Sequence, residues 1–390
     1  MTATDQPQGA MIATDSATQR AIGRPVLSAP GVALCTVFSI LLLVWGGTAL
    51  DRRLGDRLLA PNTVQVLGQL ADGRVHCLTF DDAEHCIQPA RARALPKKVL
   101  WLGNSQLHDI NQFESGNRPA SELFAEALRP HGADGLTFSQ SNGNLGEHLV
   151  LFEALLSPFE AQVLIIPLVF DDMRETGLRR EIARALQDPS IRTRLEASSA
   201  GRSVAQSHPY SDRTTQFAGS EGLQSRFEAL ILSALDTCCD MGGLQDDYQE
   251  LIAIRLYQAR NTIFGIKPSS VRKKIPAAYD ANIAALKQIL ARARELGIKV
   301  ITYIAPLRSD APRPYDPAEY RAFKDETRRI AEAAGARHLD LEDLVPNALW
   351  GSKDATSFDG TPEIDFMHFQ SGGHDLLAQR IGAAALEVLK

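Results

Sequence analysis

The sequence predicts an α/β protein built on a mostly parallel sheet, with one N-terminal transmembrane helix ahead of it. Three observations lead there. Short apolar runs alternate with helical periods over 97–175 and again over 276–390. A more polar, helix-rich stretch at 176–275 separates these two blocks, and an uncharged apolar run fills 25–50.

The first block opens on Lys98-Val99-Leu100-Trp101-Leu102, an apolar run closed by Gly103, which reads as a buried strand. Residues 120–128 have helical period, 135–139 read as a second strand and 146–156 as a helix. Residues 162–170 are apolar almost throughout, the pattern of a strand buried on both faces. Within 176–275, helices are expected at 222–235 and 246–259, and the segment reads as an insertion or cap. The alternation then resumes. A long amphipathic helix at 277–296 is ended by Gly297, a strand follows at 299–305, and a helix at 317–334 is ended by Gly335. A short strand at 338–341 and a final helix at 373–389 complete the block. Residues 51–96 read as a mixed linker holding a strand-like stretch at 63–67.

The chain has 390 residues, 44% of them apolar and 23% charged, which is ample for a buried core. The net charge is −6 and the basic residues are scattered among acidic ones, so no nucleic-acid partner is expected. The five cysteines form no CxxC pair, which argues against a structural zinc site. Cys35 lies in the apolar run, and Cys238 and Cys239 read as structural. Cys77 and Cys86 are close enough in sequence to close a small loop in an oxidising compartment, though spacing alone leaves their pairing open.

The run at 25–50 exceeds the roughly 20 residues that a helix needs to cross a bilayer. It shows no polar face and ends in Thr48-Ala49-Leu50-Asp51, a poor cleavage site, which favours an uncleaved anchor over a signal peptide. Arg20 and Arg24 precede it and Arg52, Arg53 and Arg57 follow it, so the flanking charge does not fix orientation. Residues 1–24 have the composition of a disordered tail. The expected arrangement is a single pass through the inner membrane with the globular domain held outside it.

Chemistry gathers where strands end. Gly103-Asn104-Ser105-Gln106 follows the first strand, Asn142-Gly143-Asn144-Leu145-Gly146 the second, and Asp171-Asp172 the third. Asp365-Phe366-Met367-His368 precedes the last helix. In a parallel sheet all four clusters can meet at one edge. A serine hydroxyl is a weak nucleophile unless a base takes its proton, and His368 is placed to do so with Asp365 fixing its tautomer. The backbone N–H groups of Ser105 and Gly146 are candidate oxyanion donors. Each residue also has a plainer reading. Ser105 alone is a helix N-cap, Gly143 and Gly146 shape a turn, and Asp171 and Asp172 form salt bridges, with Arg174 as partner. His108, His374, Asp109 and Asp340 read as structural.

With these motifs in view, the chain resembles the SGNH, or GDSL-like, hydrolases. The resemblance rests on Gly103-Asn104-Ser105 for the first block, Asn142 to Gly146 for the second, and Asp365-x-x-His368 followed by Gly372-Gly373 for the last. It covers about 97–175 and 276–390 and implies a three-layer sheet with helices on both faces. It also implies Ser105, His368 and Asp365 as catalytic residues, with no metal and no cofactor. The third block departs from the family. Where the family has Gly-x-Asn-Asp, this chain has Val169-Phe170-Asp171-Asp172, and an ionised Asp171 cannot donate to an oxyanion. Replacement donors are then expected from Asn104 or Asn144, and Asp171 and Asp172 become candidates for the substrate site. The anchored architecture is similar to that of D-alanyl transfer and alginate O-acetylation proteins, partners of membrane-bound O-acyltransferases.

Three functions follow as expectations. The first is an anchored serine esterase or O-acyltransferase moving an acyl group between a donor and a cell-envelope glycan or related polymer. The second is a non-catalytic glycan-binding or scaffolding partner of a membrane-bound O-acyltransferase. The third is a lipase or lysophospholipase, which the polar character of 176–275 disfavours.

Overall fold

A computed structural model describes residues 63–207, 269–353 and 362–390. The expected disordered tail and transmembrane helix, the helices at 222–235 and 246–259, and Cys35, Cys238 and Cys239 lie outside the described residues. Among the described residues, no helix is long and apolar enough to cross a membrane.

The described chain first forms three short strands, β1 (Thr63–Gln65), β2 (Gln69–Leu70) and β3 (Gly73–Arg74), then β4 (His76–Cys77) and helix α1 (Glu84–Arg93). Then come β5 (Lys97–Gly103), β6 (Asp109–Asn111), α2 (Ala120–Leu128), β7 (Ala133–Ser139), α3 (Leu145–Phe159) and β8 (Val163–Leu168). Three small helices follow, α4 (Arg180–Ala183), α5 (Pro189–Glu196) and α6 (Ser199–Ser207). The second block holds α7 (Pro276–Glu295), β9 (Lys299–Ile304), α8 (Pro317–Ala333), β10 (Arg337–Asp340), β11 (Trp350–Lys353), β12 (Glu363–Phe369) and α9 (Ser371–Val388).

Six strands pair in the order β10-β9-β8-β5-β7-β4, every pairing parallel. Side chains alternate across the sheet. In β5, Leu100 and Leu102 enter one core with residues of α1, α3, α7 and α8, while Val99 and Trp101 enter the other with residues of α2 and α9. Helices therefore cover both faces, the three-layer arrangement expected. Trp101 packs edge-on against Phe124 and donates its indole N–H to the Tyr303 hydroxyl at 3.2 Å. Strand β8 is buried along its whole length. Its Pro167 lies beyond the last residue paired to β5, where a missing N–H is tolerated.

The helices start where local chemistry allows. Asn144 and Glu147 close a reciprocal capping box at α3, and Asp316 accepts two N–H groups at the start of α8 ahead of Pro317. Glu153 of α3 is buried and bonded to Arg194 of α5 and Arg292 of α7, at 3.2 and 3.1 Å. That carboxylate ties the described part of the insertion to a core helix.

The linker expected at 51–96 is corrected over its described part. Residues 63–96 supply β4, an edge strand of the central sheet, and α1, which packs beneath it. Strands of two residues leave no periodicity to read. Cys77 of β4 and Cys86 of α1 form a disulfide, with Cα atoms 6.3 Å apart.

This crosslink constrains the unfolded chain. Replacing both cysteines by serine is expected to lower the unfolding free energy by about 2–3 kcal/mol, read by urea denaturation with little change in slope.

Candidate active site

Strand β5 is flanked by β7 on one side and β8 on the other, so the direction of strand succession reverses at its carboxyl end. Crevices form at such points in open parallel sheets. The chain leaves β5 through Gly103, where a Cβ would stand 2.2 Å from Cδ1 of the buried Leu107, so a larger residue would have to displace that side chain. Ser105 then opens a 3₁₀ turn over Ser105–Leu107. The Asn104 side chain caps this turn by accepting the Gln106 N–H at 3.1 Å. The first N–H of such a turn, that of Ser105, has no carbonyl within the turn to bond.

Asp365 and His368 belong to β12, which pairs antiparallel with β11 and carries a register shift opposite Trp350 and Ser352. The two residues thus sit on an irregular strand. Asp365 Oδ1 accepts the backbone N–H groups of Met367 and His368 at 2.9 and 3.0 Å, and this local bond curls the side chains to one side. Asp365 Oδ2 lies 2.9 Å from His368 Nδ1, and His368 Nε2 lies 2.8 Å from Ser105 Oγ. The imidazole therefore donates through Nδ1 to the carboxylate and accepts the serine proton at Nε2.

The electrostatics match that polarity. Burial opposes ionisation of Asp365, but the adjacent imidazole and the Met367 N–H outweigh it and hold the carboxyl below its ordinary range. Burial pushes His368 down, yet Asp365 and then Asp109 outweigh it and raise its affinity for a proton. Ser105 and Asp365 are buried, while the His368 side chain keeps 22% of its surface exposed.

The three expected oxyanion donors differ in their surroundings. Gly146 lies in the first turn of α3, where a Cβ would meet Val204 of α6, so its small size serves helix packing. Asn144 donates its amide to the Gly177 carbonyl at 2.9 Å and spends its oxygen on the capping box. Asn104 donates to Asp172 Oδ2 at 2.8 Å and is almost wholly buried. It is Gly143 that approaches the exit of β5, with a Cβ position 3.3 Å from the Gly103 carbonyl.

Asp171 and Asp172 each take partners within the fold. Asp171 pairs with Arg272 and Arg174 and accepts the Tyr315 hydroxyl at 3.1 Å. Asp172 is buried against Asn104, and burial drives its carboxyl well above the usual range toward the neutral form. Among the described residues no cluster of three or more histidine, cysteine or acidic side chains is placed to hold a metal ion.

Three contributors carry no readable motif. Gln106 donates to the carbonyls of Pro306 and Met367 at 2.8 and 2.9 Å, clamping the serine turn to the loop after β9 and to the histidine strand. Asn111 of β6 donates to Asp365 Oδ2 at 3.3 Å and to the Ser352 carbonyl at 3.0 Å. Asp109, read as structural from sequence, stands 3.6 Å from His368 Nε2. The one local signal was the density of polar residues over 104–111, directly after a buried strand.

No family model matches the chain, and no curated protein matches its sequence. Among solved structures it resembles a GDSL-like lipase from Bacteroides thetaiotaomicron, at 10% identity and a TM-score of 0.34 over 77% of this chain and 95% of that one. It also resembles an acetylxylan esterase from Geobacillus stearothermophilus, at 11% identity and a TM-score of 0.33 over 74% of this chain and 94% of that one.

Because Asp365 raises the proton affinity of His368, the His368 ring is expected to titrate above the ordinary histidine value of 6.5. Asp365→Asn should lower that midpoint, read by NMR titration of the ring.

Proposed function

We propose that the chain is an SGNH-like serine esterase or O-acyltransferase that works through an acyl-Ser105 intermediate. In this reading it is held at a membrane by 25–50 and acts on an acylated cell-envelope glycan or related polymer. The observation that supports it is the unbroken line from Ser105 Oγ through the His368 ring to Asp365, with contacts of 2.8 and 2.9 Å.

The chemistry follows from that line. Ser105 Oγ bonds to the acyl carbon while its proton passes to His368 Nε2, and the carbonyl becomes an oxyanion. Asp365 stabilises the resulting imidazolium through Nδ1. The oxyanion takes the Ser105 N–H and the second amide hydrogen of Asn104, the first being held by Asp172. Collapse breaks the bond to the leaving alcohol, whose oxygen takes the Nε2 proton. An incoming hydroxyl then gives its proton to Nε2 as its oxygen bonds to the acyl carbon, the Ser105 Oγ–acyl bond breaks, and the proton passes from Nε2 to Oγ.

The acceptor is a sugar hydroxyl for transfer or water for hydrolysis, and the same proton path through His368 serves both. The Cys77–Cys86 disulfide is consistent with an oxidising compartment outside the inner membrane, where a membrane-bound O-acyltransferase would be the upstream partner. Asp171, standing where an asparagine donor is expected, favours the scaffolding alternative, which the next experiment separates.

Purified protein should turn over p-nitrophenyl acetate, and Ser105→Ala should reduce kcat/KM by at least about 10³-fold. Equal turnover by Ser105→Ala would overturn the proposal, and absence of turnover in the wild type would favour the scaffold.

A further inference from the structure

Behind the serine turn lies a column of buried polar side chains that the catalytic line does not use. Ser121 Oγ contacts His76 Nδ1 at 2.8 Å, and His76 Nε2 contacts Ser139 Oγ at 2.7 Å. Ser139 Oγ in turn lies 2.6 Å from His108 Nδ1. Both histidines are fully buried, and burial pushes His76 down to about 3 and His108 well below its ordinary value, so both rings are neutral. The column ends at His108 Nε2, 3.5 Å from Asp109 Oδ1. Each of these two atoms is buried without a hydrogen-bond partner among the described residues.

The other oxygen of the same carboxyl, Asp109 Oδ2, lies 3.6 Å from His368 Nε2. This is the ring nitrogen that receives the Ser105 proton. We propose that Asp109 is a second carboxylate partner of His368, a positioning residue that stabilises the imidazolium from its Nε2 side, while the buried histidine column sets its orientation. The inference rests on the serine-nucleophile reading above.

The proton count is consistent. With Asp109 ionised, the donors run toward it, Ser121 to His76, His76 to Ser139 and Ser139 to His108, which leaves the His108 Nε2–H facing Asp109 at 3.5 Å. With Asp109 protonated, every bond runs the other way and the rings stay neutral. In the reaction Asp109 takes no proton. The Ser105 O–H bond breaks, the Nε2–H bond forms, and Asp109 lies against that new N–H until the leaving group removes it.

The groups facing Asp109 come from several elements. His108 precedes it at the end of the serine turn, and His368 and Asp365 approach from β12. His374 of α9 donates Nε2–H to the Asp109 carbonyl at 3.3 Å, its Nδ1 being taken by the Ala120 N–H. Lys353 of β11 acts on His368 and Asp365. Burial pushes the Asp109 carboxyl up to about 6, with His368 opposing and Asp365 adding to the shift. Asparagine therefore imitates a state the site already accommodates.

The test is kcat/KM for p-nitrophenyl acetate against pH in the wild type, Asp109→Asn and His108→Gln, with Ser105→Ala as control. Loss of activity in Ser105→Ala establishes the underlying reading independently. Asp109→Asn is then expected to move the acid limb to lower pH by about one unit, the effect of removing a charge at that distance under water-like screening. His108→Gln, which withdraws the donor facing Asp109 and disfavours its ionised form, should move the limb the same way. NMR titration of the His368 ring in Asp109→Asn reports the same shift without relying on turnover. A folded Asp109→Asn whose acid limb and ring titration both match the wild type would overturn the inference. A uniform loss of rate at every pH with an unmoved limb would assign Asp109 a structural role only.

Discussion

The contact between His368 Nε2 and Ser105 Oγ joins residues 263 positions apart in sequence, and the surrounding structure is organised to hold it. The serine turn is fixed at the end of β5 by Gly103 and by the Asn104 cap. The histidine strand is fixed by its own Asp365 and by its pairing with β11. Gln106 joins the two by bonding the Met367 carbonyl from inside the serine turn. Removing Gln106 would take its donor from the buried Pro306 carbonyl, a loss that typically costs about 1–3 kcal/mol, and would release the Met367 carbonyl as well. The geometry of the nucleophile and base is thus a property of the folded sheet edge rather than of either motif.

Charge in this dry edge is handled in three ways. Asp365 remains ionised because its oxygens accept the His368 ring, two backbone N–H groups and Asn111. Asp172 is driven toward neutrality, since burial there is offset chiefly by one amide. His76, His108 and His374 are neutral rings whose nitrogens face hydroxyls, a carboxyl or backbone groups. Of these four rings it is His368, flanked by Asp365 and Asp109, whose proton affinity is raised, and it is the ring that contacts the serine. Such divergence of neighbouring titratable groups is what an acid–base site requires.

The sheet was legible because its strands are buried on both faces and announce themselves as apolar runs. Helix α2 falls at 120–128 as the period indicates, and β8 lies within 162–170. Residues 63–96 were not legible, since β4 has two residues and is a strand only because β7 lies beside it. Ser105, His368 and Asp365 could be singled out because a nucleophile, base and carboxylate at strand ends have a chemical reason to occur together. Gly146 and Asn144 were assigned donor roles from a spacing that serves a helix cap equally well. Gln106, Asn111 and Asp109 act through partners more than 200 residues away, and no local pattern encodes such contacts.

The most direct test of the central claim is covalent capture of the nucleophile. After treatment with a fluorophosphonate, intact-mass and peptide mass spectrometry should find one adduct per chain, on the peptide containing Ser105, and His368→Ala should prevent its formation. An unmodified chain, an adduct on a different serine, or undiminished labelling of His368→Ala would contradict the account.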